Sequence, residues 1–254
     1  MTGICLRLIK KRIEKFDNGL IRPEREQIVK LDMISQYMDG VIATYSKGGN
    51  SKEMLSYFVP VVDLIEKFWF ERIKLTHKRQ LLNQYGLSNY FQMLTILSVG
   101  YLLDVSESHF EKIAKAIERD GVYDLIYSFI ISKKLSEFST SLQESYEGVF
   151  IIPELYTLLR EAITEENKEK SAALIDEFIT QKWYAGLSKA GVGYVERHDS
   201  KSDSYNGYWC FEAAAVVKIK GLDDSSFRDH PYYPADLVHG MDEPPKKKKG
   251  FFGW

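Results

Sequence analysis

From Tyr208 to Lys220 the chain reads Tyr-Trp-Cys-Phe-Glu-Ala-Ala-Ala-Val-Val-Lys-Ile-Lys. At Gly221 this run gives way to Leu-Asp-Asp-Ser-Ser-Phe-Arg-Asp-His-Pro-Tyr-Tyr-Pro. The first part is made of helix formers, and the three small residues Ala213, Ala214 and Ala215 allow a neighbouring element to approach closely. Gly221 supplies the stop. Beyond it, Asp223, Asp224, Ser225 and Ser226 compete for backbone N–H groups, while Pro231 and Pro234 fix φ around Tyr232 and Tyr233. A strong helix is thus coupled to a rigid, aromatic, acidic corner, a segment suited to holding one shape for binding rather than for turnover.

Elsewhere the apolar spacing is helical almost throughout. Ile28, Leu31, Ile34, Tyr37, Met38, Val41, Ile42 and Tyr45 recur at intervals of three and four, after Pro23 and Glu24, which suit a first helical turn. Gly48-Gly49 ends that helix. Asn50 with Glu53 reads as a capping pair for the next, with Pro60 expected to bend it. Further helices are predicted over 90–103, 110–119, 123–131 and 154–163. A longer one starts at Thr164 or Glu165 and finishes at Trp183-Tyr184. Alternating β patterns are scarce, Gly148–Ile152 and Val192–Val195 being the only short extended candidates. The expected class is all-α, a multi-helix bundle of two packed helical halves with minimal β structure. The serine-rich stretch 132–147 is the candidate join, giving an N-terminal unit at 1–135 and a C-terminal unit at 136–243. Residues 198–207 are expected as a surface loop.

Several functions lack their residues. The two cysteines, Cys5 and Cys210, supply neither a disulfide framework nor a four-ligand zinc site, which suits a reducing cytosol. The histidines His77, His109, His198, His230 and His239 include no pair at helical metal spacing with a carboxylate, so no metal and no cofactor are expected. His198-Asp199 and Asp229-His230 are better read as a solvated loop and a capped turn than as acid–base pairs. No glycine-rich phosphate loop, nucleophile elbow or nuclease-type acidic motif is present. The longest apolar-rich segment, 90–105, is interrupted by Gln92, Thr95, Ser98 and Gly100 and is too polar to span a membrane. With no visible secretory signal either, a soluble cytoplasmic protein is expected.

Charge is unevenly placed. The formal net charge is only −2, yet residues 195–243 carry ten acidic against five basic side chains before Lys246–Lys249 reverse the sign. An acidic body disfavours nucleic acid and suits a basic partner. The tail 244–254, with its lysines followed by Phe251, Phe252 and Trp254, reads as a disordered end, or alternatively as a weak tether to an anionic membrane or to nucleic acid. Glu212, inside an apolar helix, is costly to bury alone, so Arg228, Lys218 or a turn N–H is its expected partner. Phe68, Trp69, Trp183 and Trp209 are expected in the core.

The Tyr208–His239 run resembles the C-terminal signature of the PoNi family, immunity proteins against PoNe-type DNase toxins of bacterial polymorphic toxin systems. Upstream, Val41-Ile-Ala-Thr-Tyr-Ser-Lys-Gly-Gly49 and Glu66-Lys-Phe-Trp69 resemble the family's N-terminal domain, and 94–106 and 178–186 fall where it has an apolar helix and a helix ending in an aromatic pair. The likeness spans about nine tenths of the chain. It implies a protein that is not an enzyme and that binds and neutralises a cognate DNase toxin. No catalytic residue comes with it. Asp223, Asp224, Asp229, Tyr232, Tyr233 and Asp236 are the candidate toxin-binding residues; the oligomeric state is left open. Two rivals remain at this point: a helical adaptor or chaperone for a secreted effector, and a metal-dependent hydrolase.

Overall fold

The computed structural model describes residues 11, 13–16, 18–69, 74–77, 80–136, 138, 153–191 and 207–241, with side chains of 74–77, 80–82, 153 and 154 left aside. The predicted candidates at 148–152, 192–195 and 198–206, most of the serine-rich join, and the tail lie outside these residues.

Helix α1 (Pro23–Ser46) starts on Pro23, with Glu24 and Glu26 in its first turn. In α2 (Ser51–Phe68) the Asn50 side chain accepts the Glu53 N–H at 2.9 Å, the predicted cap. Pro60 falls inside α2, which continues to Phe68 despite the missing N–H. The reason is packing: Tyr57, Phe58, Val61, Val62 and Ile65 around it are buried against α1 and its neighbours. Gly40 permits the closest contact between α1 and α2, since a Cβ there would stand 2.3 Å from Cδ1 of Tyr57.

A short antiparallel hairpin follows, β1 (Lys74–His77) and β2 (Gln80–Tyr85), with His77 opposite Gln80 and Lys74 opposite Tyr85. It was not among the predicted extended pieces, because neither strand alternates apolar and polar residues. Next come α3 (Leu87–Leu102), α4 (Glu107–Arg119) and α5 (Leu125–Lys134), the last two capped by Ser106 and Asp124. Buried on nearly every side, α3 is the centre of the molecule.

The second half contains α6 (Pro153–Thr164), α7 (Lys168–Glu177), a π-helical stretch Phe178–Trp183, α8 (Tyr184–Lys189), α9 (Phe211–Lys220) and α10 (Ala235–His239). The predicted long helix begins at Lys168 rather than at Thr164 or Glu165, because the Asn167 side chain caps α7 by accepting the Lys170 N–H. Similarly, α9 begins at Phe211 rather than Tyr208. The Cys210 N–H donates to the Tyr232 carbonyl at 2.8 Å, which draws 208–210 out against the corner.

One apolar core runs through both halves. Helix α9 lies against α3, its face Ala213, Ala214, Ala215, Val216 and Val217 fully buried. Aromatic rings continue the seam: Tyr90 stacks on Tyr127 at 5.0 Å and lies 5.8 Å from Tyr156. Two lysines of α9 complete it. Lys218 Nζ donates to the carbonyls of Leu102 and Leu237, both at 3.0 Å, tying the end of α3 to α10. Lys220 Nζ donates to Ala162, Ile163 and Glu165, capping α6. The described residues are predominantly helical, as the sequence leads one to expect, and none of their helices is long and apolar enough to cross a membrane.

Candidate interaction surface

Helix α9 stops at Gly221, whose φ of 59° is left-handed. The chain then folds around one buried carboxylate. Asp224 is fully buried, and four hydrogen bonds converge on it. Arg228 donates through Nε (2.8 Å) and Nη2 to Oδ1, while Tyr233 OH donates to Oδ2 at 3.0 Å and His239 Nε2 lies 2.7 Å from Oδ2. Burial alone would raise the Asp224 carboxyl, but the bonds from Arg228, His239 and Tyr233 outweigh it and hold the group below the usual carboxylate range. Phe227 packs edge-on against Tyr233 at 5.1 Å beneath this node.

The node sorts the six predicted contact residues by their exposure. Asp224 and Tyr233, two of the six candidate contact residues, are withdrawn from solvent and serve as internal braces. Asp223, Asp229 and Asp236 are exposed, and Tyr232 is half-buried. Asp223 accepts the Ser225 N–H at 3.0 Å, which fixes the turn, and Ser226 Oγ donates to Asp176 of α7 at 2.7 Å. Tyr232 stacks on Tyr184 at 5.1 Å and also touches Trp183, Tyr208 and His230. Burial lowers the His230 pKa, so its ring favours the neutral form beside Tyr232. The sequence marks Tyr184 and Tyr208 only as ends of helical runs and Asp176 not at all, since nothing local links them to the corner.

Glu212 is buried, but not with its expected partners. Arg228 is committed to Asp224, and Lys218 to two carbonyls. Instead Trp183 Nε1 donates to Glu212 Oε1 at 2.6 Å, and Tyr156 OH lies 3.4 Å from the same oxygen. Burial pushes this carboxyl up to about 7. The π-helical stretch ends on Trp183, the residue that makes the short contact. Cys210 next to it is buried, its thiol pushed well up by desolvation, and so is a small core residue rather than a nucleophile. Trp209, expected in the core, is only half-buried. Its ring meets Tyr45 edge-on at 4.7 Å and its Nε1 donates to Ser46 Oγ at 2.7 Å, clamping the corner to α1.

No group of three His, Cys, Asp or Glu side chains among the described residues is arranged to hold a metal ion. The arrangement is a braced surface with acidic and aromatic side chains.

Among solved structures, the chain is similar to protein PA2201 from Pseudomonas aeruginosa, with a TM-score of 0.56 and 16% identity over 94% of this chain and 87% of that one. At that identity the likeness concerns the fold. No curated protein matches. Two family models match in tandem: the N-terminal model of PoNe immunity proteins (PoNi) over residues 7–115 and the C-terminal model over residues 122–237. With the two matches together covering most of the chain, the chain belongs to the PoNi family of PoNe immunity proteins.

Proposed function

We propose that this immunity protein acts by stoichiometric binding to a cognate DNase toxin in the cytoplasm, covering the toxin's nucleic-acid-binding surface without chemistry of its own. The family supplies the coarse role, immunity to a PoNe toxin. The observation that carries the finer reading is the braced corner, where Asp223, Asp229 and Asp236 face solvent around a buried Asp224 that fixes their backbone. A DNase presents cationic groups to phosphates, and an acidic surface that is already ordered meets them without an ordering cost. Complementary charge of this kind accelerates encounter and is screened by salt. A specific complex would bury on the order of 1,600 Å² in total, with Tyr232 on its rigid aromatic backing as an anchor.

The test is a plasmid-cleavage assay with the toxin encoded beside this protein's gene. Cleavage should stop near one equivalent of immunity protein. The triple variant Asp223→Lys, Asp229→Lys, Asp236→Lys should need a large excess while melting like the unaltered protein, since none of the three supports the core. A complex that forms and leaves cleavage intact would instead identify an adaptor.

A further inference from the structure

Charge pairing differs sharply between the two halves. Among the described residues, several carboxylates of the N-terminal half are matched by lysines: Glu26 with Lys30 (2.7 Å), Glu53 with Lys47 (3.3 Å), Asp63 and Glu66 with Lys112 (3.1 and 2.8 Å) and Glu111 with Lys115 (2.8 Å). Within residues 153–241 the carboxylate held in ion pairs is the buried Asp224. Four other acids of that half, none of them in an ion pair among the described residues, surround a single groove.

This groove lies between the end of α6 and α7 and has a volume of about 830 Å³. Leu174 and Ala173 form an apolar floor, and Glu161, Glu165, Glu166 and Glu177 stand around it, none in an ion pair among the described residues. Lys170 also lines the groove yet pairs with none of them. Lys220 approaches from below, but its ammonium is spent on the α6 carbonyls. An apolar floor with anionic walls complements a long cationic side chain, whose methylenes lie on the leucine while its head reaches the carboxylates. Neither nucleic acid nor an anionic membrane meets that description.

The groove is joined to the acidic corner. Ser226 Oγ holds Asp176 on α7 at 2.7 Å, and Lys168 Nζ reaches the Gly221 carbonyl at 3.4 Å. Helix α7 is thus a shared wall, with the groove on one side and the corner on the other.

We infer that the α6–α7 groove is a second docking element for the toxin, taking an arginine- or lysine-bearing segment of it. The inference rests on the toxin-binding reading above. Its test measures the affinity of the unaltered protein, a groove variant (Glu161→Gln, Glu165→Gln, Glu166→Gln, Glu177→Gln) and a corner variant (Asp223→Asn, Asp229→Asn) for the nuclease-inactivated toxin across a salt series. The groove variant should bind about tenfold or more weakly, and its affinity should depend less steeply on salt. Ala173→Trp, which fills the groove from an exposed position, should weaken binding by a similar factor and decides the matter if the glutamine variant is unstable. Groove variants that bind as tightly as the unaltered protein, with the corner variant weakened, overturn the groove and leave the toxin-binding reading standing. The same tight binding with a changed oligomeric state would assign the groove to a second copy of this chain and also overturn the inference. No binding by the unaltered protein defeats both readings.

Discussion

Glu212 carries a pH dependence whose size follows from its surroundings. Its carboxyl titrates at about 7 in the folded protein, raised from 4.5 by burial, while its own backbone N–H and the donors Trp183 and Tyr156 partly oppose the rise. The folded state therefore holds a proton over a range where the unfolded chain has released it. Below about pH 4.5 both states are protonated and the group imposes no penalty. As pH rises towards 7 that advantage is lost, and above 7 the full cost of a buried charge remains, about 3 kcal/mol from the separation of the two values. Glu212→Gln keeps an acceptor for the indole N–H and removes the titration. Urea unfolding at about pH 5 and about pH 8 reads the difference directly. On passing from the lower to the higher pH, the variant should gain about 2.5 kcal/mol relative to the unaltered protein, since at about pH 5 the unfolded carboxyl is already partly ionised. Parallel stability profiles for the two proteins would refute the argument, showing that Glu212 is not titrating across this range.

Two further substitutions test the packing. Lys220→Ala removes three bonds, at 2.6, 3.0 and 2.7 Å, from the carbonyls ending α6, and should cost about 1 to 3 kcal/mol by urea denaturation. A loss within error of zero would mean that water replaces the ammonium without penalty. Gly40→Ala places a methyl 2.3 Å from the Tyr57 ring, itself only 5% exposed, and should lower stability by about 1 to 3 kcal/mol through overpacking. An unchanged melting temperature would show that α1 and α2 separate more easily than their contact suggests.

Much of the helical architecture was legible because its signals are local. Asn50 with Glu53, Gly221 after an alanine-rich run, and the three-and-four spacing in α1 each act within one or two turns. Where the reading and the structure diverge, the deciding contact is distant in sequence. Glu212 is met by Trp183 and Tyr156, 29 and 56 residues away, and these are neutral donors rather than the nearby cations that charge matching suggests. The neighbours Asp223 and Asp224 look alike in the sequence. Only the convergence of Arg228, Tyr233 and His239 sends one inward and leaves the other in solvent. The start of α9 moved for a related reason, a strand-like bond from Cys210 to Tyr232 across the corner.

The contact between α3 and α9 limits how such a protein can diversify. The small residues Ala213 to Ala215 of α9 are fully buried and leave little room for larger ones, and Lys218, which closes the contact, reaches main-chain atoms that any sequence provides. Recombining the front of one relative with the back of another would succeed only where these interlocking volumes are kept. New target preferences can accumulate instead on the outward-facing acids of the second half, where a change of side chain leaves the internal fit undisturbed.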